Sequence, residues 1–526
     1  VLGLGLRIPE IALRGGMLTY YVSASGGSDA NSGKSPAKPW QTLANLTTLT
    51  SGVPVLILLK AGDTFSTVNA NGAVGQLYQS NVTISSYGSG AKPIISTISA
   101  DYGIWFFDVS NITIQNLNFV GPSTGSASGD TAIIGQVTVN NTTQKNWTVS
   151  NCTVSGWDSG ILLEDSSATG AIVNGITVTG CTVATGYSGG IVTASGSGAD
   201  QNLLNVAILN CVVTNIQTSG IAPDNVTGFL VSGCVASGCG AQGGTNIEVY
   251  SSKNGTVQFC EAYGGVSTAA ADGGGGIDID ANCQNVTVQF CYVHGNAGPG
   301  IYFYLNLGTG TGLVCRFNIS QNNGTNTNGT AQFCIGLATG GQTGHTIQFY
   351  GNTIYNAAGK SCFGFNSGSG SISSCQVSNN IFYSAAAKII NTALPTGTVT
   401  MQGNDYYSTG AFSLTWGGTT YSSFAAWQTA SAQEKVSGVN VGLTSNPTLA
   451  NPGNAGTVST GGAVTQASLA AALAAYYELA HTSPMFDTGL NLSSDFGINP
   501  GTQDFFGNAI AASTLSVGAH CPVSAP

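Results

Sequence analysis

Six cysteines, Cys152, Cys181, Cys211, Cys234, Cys260 and Cys291, recur 23 to 31 residues apart, each three places after an apolar residue. Those apolar residues are Val149, Val178, Ile208, Val231, Val257 and Val288, and Asn318, Asn352, Asn380 and Asn404 carry the cysteine position onward. A period of this length marks a repeat whose units contact their neighbours in sequence. Small residues held at one inward position require equivalent residues to stack directly on one another. The pattern therefore predicts an all-β solenoid, a parallel β-helix, in which cysteine and asparagine share one column.

Such an array grows as one elongated unit, so 526 residues do not call for several domains. We expect an N-terminal segment and cap over 1–77, a β-helix body over 78–410 and a C-terminal capping region over 411–526. The first contains the strand LTYYVS, a short helix near Trp40 to Leu49 and the strand VPVLILLK; the last contains the helical stretch SLAAALAAYYELA. A solenoid needs such caps because its ends otherwise expose strand edges. The body reads as phrases such as NWTVSNCTV, NVAILNCVV and NVTVQFCYV, each alternating like a strand buried on one side.

Charged residues make up 6% of the chain, glycine contributes 75 residues, and the formal net charge is -10 with a pI near 4.6. A nucleic-acid partner is not expected, because that affinity rests on clustered Lys and Arg. No run of about 18 apolar residues suits membrane insertion. Thirteen cysteines form an odd, periodic set that fits buried free thiols better than disulfides. The opening VLGLGLRIPEIALRGG makes a poor signal peptide. Sequons at Asn81, Asn111, Asn151 and Asn285 read as incidental to composition, several being in strands where a glycan has no room.

Chemistry concentrates on one strand of the coil. GILLE (160 to 164), GIVTA (190 to 194), GIAPD (220 to 224), NIEVY (246 to 250), GIDID (276 to 280) and GIYFY (300 to 304) align on an inward isoleucine. The outward columns then read Leu162, Val192, Ala222, Glu248, Asp278, Tyr302 and Glu164, Ala194, Asp224, Tyr250, Asp280, Tyr304. Adjacent coils lie about 4.8 Å apart, so Glu248, Asp278 and Asp280 are neighbours, and repulsion raises at least one of their pKa values. A protonated acid beside an ionised carboxylate is the division of labour that glycoside hydrolysis uses. These three are the candidate catalytic residues. Asp224, Tyr250, Tyr302 and Tyr304 are candidate substrate-binding residues, the tyrosines offering stacking faces for sugar rings. His294 is a further candidate, set against a plain hydrogen-bonded turn histidine. The competing readings of the acids are a structural Ca²⁺ site including Asp272, with no other cofactor expected, or a solvated acidic face. Gln258, Gln289 and Gln348, interrupted by Arg316, read as an amide ladder without activity.

The segments YYVSASGGSDANSGKSPAKPWQTLANL, GGGIDID with NVTVQFCYVHGNAGPGIYFY, and HTSPMFDTGLNLSSDFG resemble the right-handed parallel β-helix superfamily, the pectate-lyase-like fold, over almost the whole chain. The LGLGL opening is similar to the leading segment of some phage tail proteins. The resemblance implies polysaccharide hydrolases, lyases, epimerases or phage tailspikes that bind glycans along the side of the helix. The expected function is a polysaccharide-degrading enzyme, an endo-acting glycoside hydrolase or depolymerase, working extracellularly as a secreted or virion-associated protein. A tailspike implies a homotrimer, a secreted enzyme a monomer. One alternative is a non-catalytic glycan-binding adhesin or virion tail component. A second is a Ca²⁺-dependent polysaccharide lyase, which is disfavoured because neither Lys253 nor Arg316 occupies the base position.

Overall fold

A computed structural model describes residues 16–522 apart from 51, 99–100, 123–127, 169, 196–201, 269–272, 306–307, 327–330, 338–342, 358–360, 367–369, 386–387, 393 and 512–514. The opening residues 1–15 and Asp272 lie outside the described set.

The chain winds into coils that build three parallel ladders. The first ladder has fourteen strands in strict succession, from Leu18–Val22 to Thr396–Gln402. A second ladder follows the cysteine position and runs through Val212–Ile216, Glu261–Tyr263 and Tyr292–His294 to Asp405–Ser408. The third runs from Ala73–Leu77 through Gly275–Asp280 to Leu414–Trp416. Two long strands, Thr153–Asp165 and Thr182–Ser195, bend through both the second and the third. Parallel stacking thus begins at Leu18–Val22, which pairs with Val55–Lys60, well before the expected boundary at residue 78.

First-ladder strands such as Val55–Lys60, Ile112–Gln115 and Leu313–Arg316 bury alternate residues. Ile161, Ile191, Ile221, Ile247, Ile277 and Ile301 form one inward stack, each at most 1% exposed. All thirteen cysteines are free and buried. In the periodic column each thiol reaches a backbone carbonyl, as Cys211 Sγ does to Leu209 O at 3.3 Å. From Asn318 the column becomes an amide ladder. Asn318 Nδ2 donates to Asn352 Oδ1 at 3.0 Å, Asn352 Nδ2 to Asn380 Oδ1 at 3.0 Å, and Asn380 Nδ2 to Asn404 Oδ1 at 2.9 Å. Each Oδ1 also accepts the backbone N–H of the preceding asparagine, so no buried amide is left over. The ladder ends on the buried Glu434, whose Oε1 accepts Asn404 Nδ2 at 2.9 Å and the Tyr406 hydroxyl at 2.6 Å. Burial pushes that carboxyl up to about 7.

The sequon asparagines have a structural explanation. Asn81, Asn111, Asn151 and Asn285 occupy left-handed turn positions (φ 64°, 59°, 48° and 52°), which asparagine tolerates better than most residues. Their side chains link coil to coil, as in Asn111 Nδ2 to Asn81 Oδ1 at 2.8 Å and Asn285 Nδ2 to Asn254 Oδ1 at 3.0 Å.

The end of the solenoid is closed by helix α1 (Phe424–Ser431), which seats the fully buried Trp427 against Tyr406 and Trp416. Gln433, Glu434 and Leu443 also close this end, against Met401, Gly403, Asn404 and Asp405, and the chain beyond them folds back along the flank as an arm carrying α2 (Gln466–Tyr477) and α3 (Leu492–Phe496). Leu469, Leu473 and Tyr477, one stripe of α2, join a core with Val212, Val235, Tyr292, Ile319 and Ile381 on the outer face of the second ladder. Val464 N–H reaches back as far as Gly233 O, at 3.2 Å. The outward Gln258 to Gln289 pair extends to Arg316, but Arg316 then stands opposite Tyr350 rather than Gln348 and is held under the arm by Asn499 O.

The ladder predicts an asymmetry in stability. Asn352→Ala removes the acceptor of the Asn318 backbone N–H and of one Asn318 amide hydrogen, leaving the amide only its bond to Val288 O among those to carbonyls, and costs about 3 kcal/mol, whereas Cys211→Ala, which removes a small thiol, costs about 1 kcal/mol. Denaturation midpoints of the two variants check this.

Candidate active site

Three successive strands of the third ladder, β1 (Thr245–Tyr250), β2 (Gly275–Asp280) and β3 (Ile301–Leu305), carry the acids and tyrosines. Their register matches the sequence columns: Glu248 pairs with Asp278 and Asp278 with Tyr302, while Tyr250 pairs with Asp280 and Asp280 with Tyr304. Inward Ile247, Val249, Ile277, Ile279, Ile301 and Phe303 fix these strands, so alternation sends the intervening side chains outward.

A cleft of about 290 Å³ opens here, lined by Glu248, Asp278, Asp280, Tyr302 and Tyr304 with Thr245 and glycines 243, 244 and 273. The Tyr302 and Tyr304 rings are stacked, 5.4 Å between centroids. Asp224 stands one rung earlier and bridges to Tyr250; both extend the column beside the cleft lining. The Asp224 Oδ1 atom is buried without a hydrogen-bond partner among the described residues.

The electrostatics follow from crowding acids in a poorly hydrated trough. Burial, then the nearby Glu248 carboxylate, push Asp280 up to about 7, against the opposing hydrogen bond from Ala281 N–H at 2.5 Å. Burial raises Glu248, offset in part by the Ser219 hydroxyl that donates to Oε2. Asp224 is raised well above the usual carboxylate range by burial, followed by Glu248 and Asp280. A carboxylic acid that holds its proton near neutrality can serve as a general acid at that pH.

Sequence columns missed the groups that shape the trough. Ser219, in the turn before strand Ile221–Pro223, orients Glu248. Gly244, at φ 96°, lets its loop approach Ser219, because a Cβ there would fall 2.5 Å from Ser219 Oγ. Gly336 continues the Tyr304 column and makes room for both rings, since a Cβ would lie 2.2 Å from Tyr302 Oη. Glycine at these positions of the coil phrases is the signal that marks them.

His294 does not join the cleft. It belongs to the second ladder, packed between Tyr263 and Tyr292 at ring distances of 5.0 and 4.2 Å, with Nε2 3.1 Å from Glu261 Oε1. Glu261 in turn accepts the Val458 and Ser459 backbone N–H groups of the arm, at 2.6 and 2.7 Å. Its position one coil from an acid was legible; the arm laid over it was not. Among the described residues, no group of three or more His, Cys, Asp or Glu side chains is placed to hold a metal ion, and Asp272 lies outside that set. Lys253 opens a first-ladder strand and Arg316 is engaged under the arm, so neither lines the cleft. No described helix is long and apolar enough to cross a membrane.

A family model described as a right handed beta helix region matches residues 135–333. Two crystal structures of a GH136 lacto-N-biosidase from Eubacterium ramulus share the fold. The native form is 19% identical with a TM-score of 0.51, covering 65% of this chain and 64% of its own. The selenomethionine derivative is 17% identical with a TM-score of 0.53, covering 67% and 68%. The chain therefore spans less than two thirds of the length of the native form. The mannuronan C-5 epimerase AlgE4 A-module of Azotobacter vinelandii aligns at 12% identity over 72% of this chain and 100% of its own, with a TM-score of 0.45. A search of curated proteins by sequence finds no match.

Asp280 binds its proton more tightly in the folded chain than in the unfolded one. Its contribution to stability is complete below about pH 4, the unfolded carboxylate value, and is lost as pH rises toward 7. Asp280→Asn therefore stabilises the fold at pH 8 by on the order of 2 kcal/mol, read as a higher melting temperature, and has little effect at pH 4. Melting curves at the two pH values test this, and an equal shift at both would place the carboxyl in water.

Proposed function

We propose that this right-handed parallel β-helix protein is a polysaccharide-cleaving enzyme, an endo-acting glycoside hydrolase that works outside the cell. The observation that carries the reading is the convergence of Glu248, Asp278 and Asp280 on one open trough beside stacked tyrosines, in a chain with 6% charged residues. Asp280 protonates the departing glycosidic oxygen. Its partner, Glu248 or Asp278, acts on the opposite side of the sugar as base or nucleophile. Asp278 and Asp280, two residues apart on one strand, are about 7 Å apart, and the diagonal Glu248 and Asp280 pair is about 8 Å apart; either separation leaves room for a water and suits an inverting outcome.

Tyr302 and Tyr304 form a face for a sugar ring, and Asp224 and Tyr250 flank it. Endo action is favoured because the outward columns continue past the trough on both sides, to Ala222 and Val192 one way and to Cys334 the other. Hydrolysis is favoured over elimination because no lysine or arginine is among the described residues that line the cleft. The lacto-N-biosidase of the same fold supports this reading at the level of fold alone.

Release of reducing ends from a panel of neutral and acidic polysaccharides tests the reading. Glu248→Gln, Asp278→Asn and Asp280→Asn are each expected to lower turnover about 10² to 10⁴-fold without lowering the melting temperature. Ultraviolet absorbance from unsaturated ends would show a lyase instead. Binding without any product would show an adhesin.

A further inference from the structure

The outward columns that carry the acids also run the other way, toward the N-terminal end of the third ladder. There Trp105 pairs with Ile134 and Phe107 with Gln136, in the register that leads through Leu162, Val192 and Ala222 to Glu248. Five rung steps separate Trp105 from Glu248, about 24 Å. Four aromatic rings meet at this end. Trp105 lies 4.8 Å from Tyr102 and 5.2 Å from Phe107, and Phe107 lies 4.6 Å from Tyr78. Tyr78 is 47% exposed and the other three are half-buried, so the rings present faces to solvent instead of filling a core.

The cluster is held in place before any ligand arrives. Trp105 Nε1 donates to Gln136 Oε1 at 2.8 Å, and Gln136 Nε2 donates to Glu164 Oε1 at 2.5 Å. On the other side Asn69 and Asn71 both donate to Gln76 Oε1, at 3.0 and 2.9 Å. Aromatic faces fringed by amides match a sugar ring, which combines apolar C–H faces with a rim of hydroxyls. A protein partner would be expected to seek a larger dry patch. The nearby Glu164 carboxylate and a net charge of -10 disfavour an acidic sugar.

We propose that Tyr78, Tyr102, Trp105 and Phe107 form a remote carbohydrate subsite that takes a neutral sugar ring of the same glycan chain that enters the trough at Glu248, Asp278 and Asp280. The proposal rests on the reading of that trough as a glycan site. It adds a second grip, so that a long chain lies along the ladder over the Ile134, Leu162, Val192 and Ala222 floor and is held at both ends.

Tryptophan fluorescence tests the site directly, because the other five of the six tryptophans are 8% exposed or less and Trp105 alone is accessible to a dissolved quencher. Acrylamide quenching of the full chain is measured with galactomannan, xylan, arabinogalactan and, as the acidic control, polygalacturonate. At least one neutral polysaccharide is expected to lower the quenching slope, and polygalacturonate is not. Trp105→Ala should weaken retention of the protein in gels containing that polysaccharide by about tenfold. Phe107→Ser provides the same test should Trp105→Ala not fold. Asp278→Asn keeps the protection, which separates this site from the chemistry: loss of turnover in that variant speaks to the trough alone. An unchanged slope with every neutral polysaccharide, or retention unaffected by both aromatic substitutions, overturns the subsite.

Discussion

Hydrogen bonds that hold successive coils in register, with local shifts at Trp157/Ser159, His345/Thr346 and Ile372/Cys375, are the constraint on which the rest of the molecule depends. They place each residue about 4.8 Å from its equivalent in the next coil, so every column is a test of whether a side chain tolerates its own kind. Isoleucine does, through contact. Asparagine does, because an amide both donates and accepts and can therefore repeat without limit. A carboxylate accepts only, so acids brought together by the same geometry must hold protons or be solvated. The Asn318 to Asn404 ladder and the Glu248, Asp278, Asp280 group are two outcomes of one spacing, one satisfied and one under electrostatic tension.

That spacing explains why so much was legible in the sequence. The cysteine and isoleucine columns fix the register, and once the register is known the outward neighbours follow by counting, as the Glu248 to Asp278 to Tyr302 pairing bears out. The column logic reaches no further than the coil. Ser219, Gly244 and Gly336 shape the trough from turns and from the next rung, where side-chain size rather than period carries the information.

The arm was hidden for a different reason. A chain segment that lies across the coils is not periodic, and the α2 stripe of Leu469, Leu473 and Tyr477 does not name its partner. A trace existed on the receiving side: Val212, Val235, Tyr292, Ile319 and Ile381 make a mostly apolar column, interrupted by Glu261 and Thr353, at positions that alternation sends outward. On the second ladder those residues lie under the arm. The acids and tyrosines of the third ladder line the open trough, and His294 lies on the covered face, beside Glu261 and the arm.

The arm also sets where the molecule can change length. Its attachments at Gly233, Tyr292, Tyr350 and Asn379 are fixed to particular coils, so it acts as a ruler laid against that half of the solenoid. A turn gained or lost beneath the ruler would throw these attachments out of step. A turn gained or lost between Trp105 and Asp224 would disturb none of them. Descendants of this chain are thus free to vary the span between the aromatic end and the acids by whole increments of one coil, while the acids and their immediate surroundings stay as they are.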